Sequence, residues 1–336
     1  MVALLVRRLA WAVPVLFAVV LVTFVMLHLV PGGPWDRKPP QPAMFQAAPD
    51  AATVKVLEQR FGLDLPLWRQ FTRYVFGDVD SNGKFVCGLM CGDMGPSYRQ
   101  RGNTAQGMLF RAPDGQPWWQ SCFFYSIRLA ALALALALAA GIPLGVIAAL
   151  KQDTWVDHGI TLVATVGNSV PNFVIGLFVI ALLVSAGVGF KVVSSDWSNP
   201  GAWIVPVVVL SLGTMASTVR LTRASVLEVM RTDYIRTARA KGLAERTIIR
   251  GHMLKNALIP VVTLLGPALA ELIAGSFVIE MMFGFPGMGR LYTDSVVWGD
   301  YPVILGGTVV YAALVTLANL GVDFAYGVLD PRIKAR

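Results

Sequence analysis

The stretch YIRTARAKGLAERTIIRGHMLKNALIP, residues 234–260, lies between two long apolar runs. It is basic and helix-prone. Residues 224–250 are rich in good helix formers, with no proline and only Gly242 before Gly251. Gly242 is expected to end one short helix, and Glu245 to Lys255 to begin another. A positively charged anchor lying on lipid headgroups would account for the charge. It would not account for the length or for the Ala-Gly pattern. We read the stretch as a docking element facing the cytosol. Ala238, Ala240 and Gly242 are small enough to let a partner's surface come close.

The rest of the chain supports a membrane setting. Of 336 residues, 55% are hydrophobic and only 14% are charged, and the mean hydropathy is +0.62. Water does not solvate such a surface, so a polytopic, all-α integral membrane protein is expected. The net charge of +8 does not point to nucleic acid, because the basic residues cluster in short segments beside apolar runs. Three cysteines and three histidines show no zinc spacing.

Six spans are expected, at residues 9–30, 122–150, 159–186, 203–219, 256–282 and 303–329. The first follows Arg7 and Arg8 and is too long for a signal peptide. Residues 31–121 form a large extracytoplasmic segment. Within it, residues 51–76 have helical spacing and read as a small cap on the outer face. Residues 122–336 make a core of five spans, with the basic loop at 221–257. Gly141 and Gly145, four apart in the second span, allow close helix packing, and Pro143 between them allows a kink.

Orientation follows from the short loops. Arg7, Arg8, Lys151, eight basic residues between 221 and 257, and Arg332, Lys334 and Arg336 fall on one side. The two short loops opposite hold only Lys191 and Arg290. Both termini are therefore expected in the cytosol. The third span is interrupted by Gly167-Asn168-Ser169-Val170-Pro171-Asn172. Polar groups at that depth need protein or a water-filled cavity around them, so Asn168, Ser169 and Asn172 are pathway candidates. Glu271 in the fifth span is another. It either lines a path that favours cations or pairs with a polar group on a partner. If residues 31–121 are extracytoplasmic, a Cys87–Cys91 disulfide is an open expectation beside two plain thiols.

TARAKGL followed by NALIP resembles the cytoplasmic loop of integral-membrane permease subunits of ATP-binding-cassette importers. More narrowly, it resembles the first permease subunit of the dipeptide and oligopeptide (peptide/nickel) family. GIPLGVIAALKQ at 141–152, SVPNFVIG at 169–176 and RLTRASVLEVMRTDYIRTARAKGL at 220–243 share the resemblance. So do Glu280, Phe283, Pro286, Gly287 and Gly289, the Asp300-Tyr301-Pro302 run and Asp330-Pro331-Arg332-Ile333. RRLAWAVPVLF near the N-terminus and GDMGPSYR at 92–99 extend it over nearly the whole chain.

The resemblance implies a bacterial inner-membrane subunit that pairs with a second, homologous permease. Together they would form a pathway for peptide uptake, fed by an extracytoplasmic solute-binding protein. It implies that Arg236, Thr237, Ala238, Arg239, Ala240, Lys241 and Gly242 form a coupling helix in a groove of the cytosolic ATPase. Arg236 stands where the wider superfamily has a glutamate. Asp300, Tyr301 and Pro302 would lie near the docked binding protein. ATP and Mg would sit on the partner ATPases. The chain itself has no G-x-x-x-x-G-K-[ST] run, and Gly83-Lys84 is followed by Phe85. The segment around Asp80 to Cys91 is longer than the family pattern; it reads as a tolerated surface loop, with tuning of the docking of a particular binding protein as the alternative. A self-sufficient channel or secondary transporter is the alternative, but it leaves the basic loop unexplained. An intramembrane enzyme would need a paired catalytic set that the three histidines, at span ends or in loops, do not supply.

Overall fold

The computed structural model describes residues 2–35, 51–79, 83, 85–187 and 197–329. Of residues 2–6, 9, 51 and 322–329, only the helical backbone is described. Asp80, Lys84, Lys191, the Asp330-Pro331-Arg332-Ile333 run, Lys334 and Arg336 lie outside the described residues, as does the Asp323 side chain.

The described chain is built almost wholly of helices. Long apolar helices are α1 (Val2–Leu29), α5 (Cys122–Leu150), α8 (Ile204–Met230), α12 (Ile259–Phe283) and α14 (Tyr301–Leu329). Each is long and apolar enough to cross a bilayer. Shorter helices are α2 (Ala51–Phe61), α3 (Leu67–Phe76), α4 (Ala105–Phe110), α6 (Trp155–Ser169), α7 (Asn172–Ser185), α9 (Asp233–Ala240), α10 (Glu245–Thr247), α11 (Leu254–Ala257) and α13 (Met288–Trp298). Strands β1 (Asp78–Val79) and β2 (Phe85–Val86) pair antiparallel, Asp78 opposite Val86.

The third apolar run becomes two helices, α6 and α7, bent by 102° at the break. Pro171 causes the break, since it lacks an N–H and disfavours helical geometry at Val170. At 1.5 Å per residue each half is about 22 Å long, short of the roughly 30 Å hydrocarbon core. The spans therefore number five, or six if the bent pair is one. The fourth runs on to Met230 because residues 220–230 are strong helix formers that lie outside the apolar run.

The contacts divide the chain into two units. One comprises residues 1–8, 127–285 and 314–336; the other comprises 9–126 and 286–313. In the first, α8 is the central element, packed against α6, α7, α11 and α12. Helix α5 approaches α8 through its two glycines. A Cβ added to Gly141 would lie 2.9 Å from Thr218 Cβ, and one on Gly145 would lie 2.6 Å from Thr222 Cβ and 2.7 Å from the Val219 carbonyl. The two glycines are thus contact points between helix backbones. In the second unit, the aromatic rings of Trp35, Phe61, Tyr98 and Tyr301 form a connected cluster.

Gly145→Val should separate α5 from α8 and cost about 1–3 kcal/mol by overpacking. Thermal unfolding in detergent checks this, and an unchanged melting temperature would contradict the close approach.

Candidate functional site

Helix α9 carries the basic motif. Its eight residues are too few to be stable alone, so it is held by packing. Ile235 and Ala238, one turn apart, are buried with Ala149, Val226, Ile248, Met253 and Ala257. Asn256 Nδ2 donates to Tyr234 Oη at 3.0 Å, which ties the NALIP run to the start of the helix. The helix ends as the sequence expects, at Gly242 with φ +72°. The Gly242 N–H donates to the Arg239 carbonyl at 2.9 Å, and the Leu243 N–H to the Ala238 carbonyl at 3.4 Å. The following stretch contains α10, a π-helical run at Ile248–Met253 and α11.

The exposed side of this element is Arg236, Thr237, Arg239, Ala240, Lys241 and Gly242. Ala238 faces inward, against its own chain, so it is not available for close approach by a partner. Its spacing from Ile235 is the reason, because residues three apart share a helix face. Arg239 pairs with Glu245 at 2.8 Å and Arg236 with Asp233 at 3.6 Å. Both pairs are exposed, and Lys241 leaves the surface with a net positive charge.

The polar residues of the break are accounted for one by one. Asn168 Oδ1 accepts from Ser217 Oγ at 2.9 Å. Asn172 Nδ2 donates to the Leu210 carbonyl at 3.4 Å. Both anchor the bend to α8. Ser169 Oγ returns to the Thr165 carbonyl of its own helix at 2.8 Å. Glu271 on α12 is exposed, facing away from its own chain, and forms no ion pair among the described residues. The structure does not bring Glu271 into a hydrogen-bonded cluster with the three polar residues of the break.

Sequence reasoning missed a buried charged contact in this unit. Arg223 near the end of α8 grips Asp157 in the first turn of α6. Arg223 Nε and Nη2 each lie 2.6 Å from a carboxylate oxygen. Asp157 is 1% exposed and Arg223 29%. The Asp153 N–H at 3.0 Å and Thr161 Oγ1 at 3.3 Å complete the carboxylate's partners. The available signal was an arginine beyond the apolar part of one helix and an aspartate opening another.

In the second unit, Asp300, Tyr301 and Pro302 are buried. Asp300 accepts from Ser97 Oγ and from the Tyr98 N–H at 3.0 Å. Arg99 Nε donates to the Trp298 carbonyl at 2.6 Å. The GDMGPSYR and DYP runs, some 200 residues apart, therefore hold each other. Burial, and then the nearby Asp300 charge, push the Tyr98 phenol above its usual range. This inward pairing leaves the three DYP side chains no surface to offer a partner. Cys87 and Cys91 are joined, with Cα atoms 5.8 Å apart; Cys122 is not part of this bond.

Residues 141–335 match the family model described as the binding-protein-dependent transport system inner membrane component. Residues 1–115 match the N-terminal model of the same kind of component. The chain belongs to this family. Among relatives of this inner membrane component, the dipeptide transport system permease protein DppB of Bacillus subtilis is 36% identical over 96% of each chain. DppB of Escherichia coli K12 is 33% identical over 99% of each. The oligopeptide transport system permease protein OppB of Salmonella typhimurium is 34% identical over 99% of this chain and 100% of its own.

For this family member, Asp157→Ala should cost about 2–4 kcal/mol, since it strands a half-buried guanidinium. Arg223→Lys should cost less, because it keeps the charge and loses only the paired geometry. Thermal unfolding of the two variants in detergent checks the order, and equal losses would contradict the role given to the charge.

Proposed function

We propose that this chain is the membrane-spanning permease subunit of an ATP-binding-cassette importer for short peptides. A second, homologous permease completes the pathway. Separate cytosolic ATPase subunits supply ATP and Mg, and an extracytoplasmic binding protein delivers the solute. The chain itself is not an enzyme. The observation that carries the reading is α9: a basic, exposed helix seated through Ile235 and Ala238 on the end of α8. It is a hard point on a membrane protein, suited to transmit force rather than to bind a solute. The names of the relatives supply the solute class.

In this reading Arg236, Thr237, Arg239, Ala240, Lys241 and Gly242 enter the ATPase groove, and Ala238 holds the helix from behind. Both termini and α9 face the cytosol of a bacterium, and residues 31–121 face outward, where a Cys87–Cys91 bond is stable. The α6–α7 pair acts as one broken span, and Asn168, Ser169, Asn172 and Glu271 border the path. Glu271, exposed within an apolar helix, meets water in that path or a polar group of the second permease. The binding protein docks near the surface that the Asp300–Ser97 pairing supports, rather than on Asp300 itself.

Gly242→Arg tests this. The position needs φ > 0, which an arginine tolerates poorly, and it puts a bulky charge at the groove. With the assembled transporter in liposomes, ATP-driven uptake of a labelled dipeptide should fall more than about tenfold, while the chain still inserts and folds. Normal uptake would overturn the docking assignment.

A further inference from the structure

We infer that α3 is not a cap standing in water but an amphipathic helix lying at hydrocarbon depth, and that the cleft it forms with α1 takes a lipid acyl chain. The inference rests on the membrane character of α1 and not on the transport reading.

The depth comes from α1. Its apolar span is Ala10–Leu29, 20 residues, which matches the roughly 30 Å hydrocarbon core. Arg7 and Arg8 are exposed just before it, and their charges keep that end at the interface. The span cannot slide toward its N-terminus without burying them. Leu29 therefore marks the other interface. The Phe71 ring of α3 packs edge-on against Phe17 at 5.5 Å and Phe24 at 5.3 Å between centroids. Along α1, Phe17 is about 18 Å and Phe24 about 8 Å from Leu29 at 1.5 Å per residue. Phe71 thus sits about 13 Å below the Leu29 end, inside the apolar layer.

The two sides of α3 fit that position. Gln70, Arg73 and Tyr74 line a polar-edged cavity within their own unit, with His28, Asp93 and Tyr98. Gln70 donates to the Leu63 and Leu65 carbonyls at 2.9 and 2.7 Å. The opposite side carries Leu67, Trp68, Phe71 and Thr72. With Leu21, Phe24, Val25, His28 and Leu29 of α1 it encloses a mostly apolar cleft of about 310 Å³. Trp68 is 69% exposed and Leu67 54%. Val75 of the apolar stripe is buried, but Leu67 and Trp68 on the same stripe face out while Gln70, Arg73 and Tyr74 turn inward, an arrangement that suits lipid better than water. The cleft is continuous with the outward apolar face of α1, where Val22, Val25, Met26 and Leu29 are exposed. A span of this length and apolarity presents that face to acyl chains.

Trp68→Cys, in the Cys122→Ala background and carrying a nitroxide label, tests the inference on the complete transporter in liposomes. Electron paramagnetic resonance then compares collisions with oxygen, which concentrates in hydrocarbon, and with a water-soluble nickel chelate. The label should collide far more with oxygen, and a spin-quenching group on the lipid chain should broaden its spectrum. Arg69→Cys, on the flank of the same helix, should be more open to the chelate. A label at 68 that is open to the chelate would overturn the inference, as α3 would then stand in water. A label shielded from both reagents would also overturn it, as a protein partner would then fill the cleft.

Discussion

An eight-residue helix is held by what it leans on, and the seat of α9 is the constraint on which the rest of this architecture turns. Ile235 and Ala238 are pressed among Val226, Ile248, Met253 and Ala257. Val226 belongs to the last turns of α8, so a push on α9 is a push on α8. Helix α8 in turn is tied to the bent α6–α7 pair at three heights. Arg223 grips Asp157 at one end, Ser217 holds Asn168 beside the break, and the Leu210 carbonyl receives Asn172 beyond it. Closely packed elements of this kind shift between discrete arrangements rather than deforming smoothly. The bend at Pro171 is where a rearrangement would be expressed.

The second unit is organised by a polar pair instead. Ser97 and the Tyr98 amide satisfy the buried Asp300 carboxylate, and Arg99 closes the turn on the Trp298 carbonyl. A buried carboxylate left without such donors would cost several kcal/mol. The pairing therefore fixes the start of α14 against the 95–104 turn, and the aromatic cluster around Tyr98 packs over it.

The spans were readable because runs of about twenty apolar residues have few alternatives in water or lipid. The end of α9 was readable because Gly242 supplies a conformation that other residues resist. What escaped reading was partnership across long separations. Nothing local to Asp157 names Arg223, and nothing local to Asp300 names Ser97. Asp300, expected near a docking surface, is instead held inside by Ser97 and Tyr98, and Asp157, which the sequence leaves in a polar turn, is held by Arg223. Ala238 was misplaced for a different reason, since its small size suggested outward contact while its spacing from Ile235 put it on the inner face. Helix α3 reads as a cap on the outer face because its composition is mixed; its contact with α1 through Phe71 is not local and could not be read from the sequence.

The central claim is that α9 meets the ATPase through its exposed side. The direct measurement is site-specific crosslinking from Ala240→Cys and, as a control, Ala238→Cys, in the assembled complex with a short bifunctional reagent. The account predicts that position 240 links to the ATPase subunit and that the inward position 238 does not. Equal linkage from both, or none from 240, would contradict it.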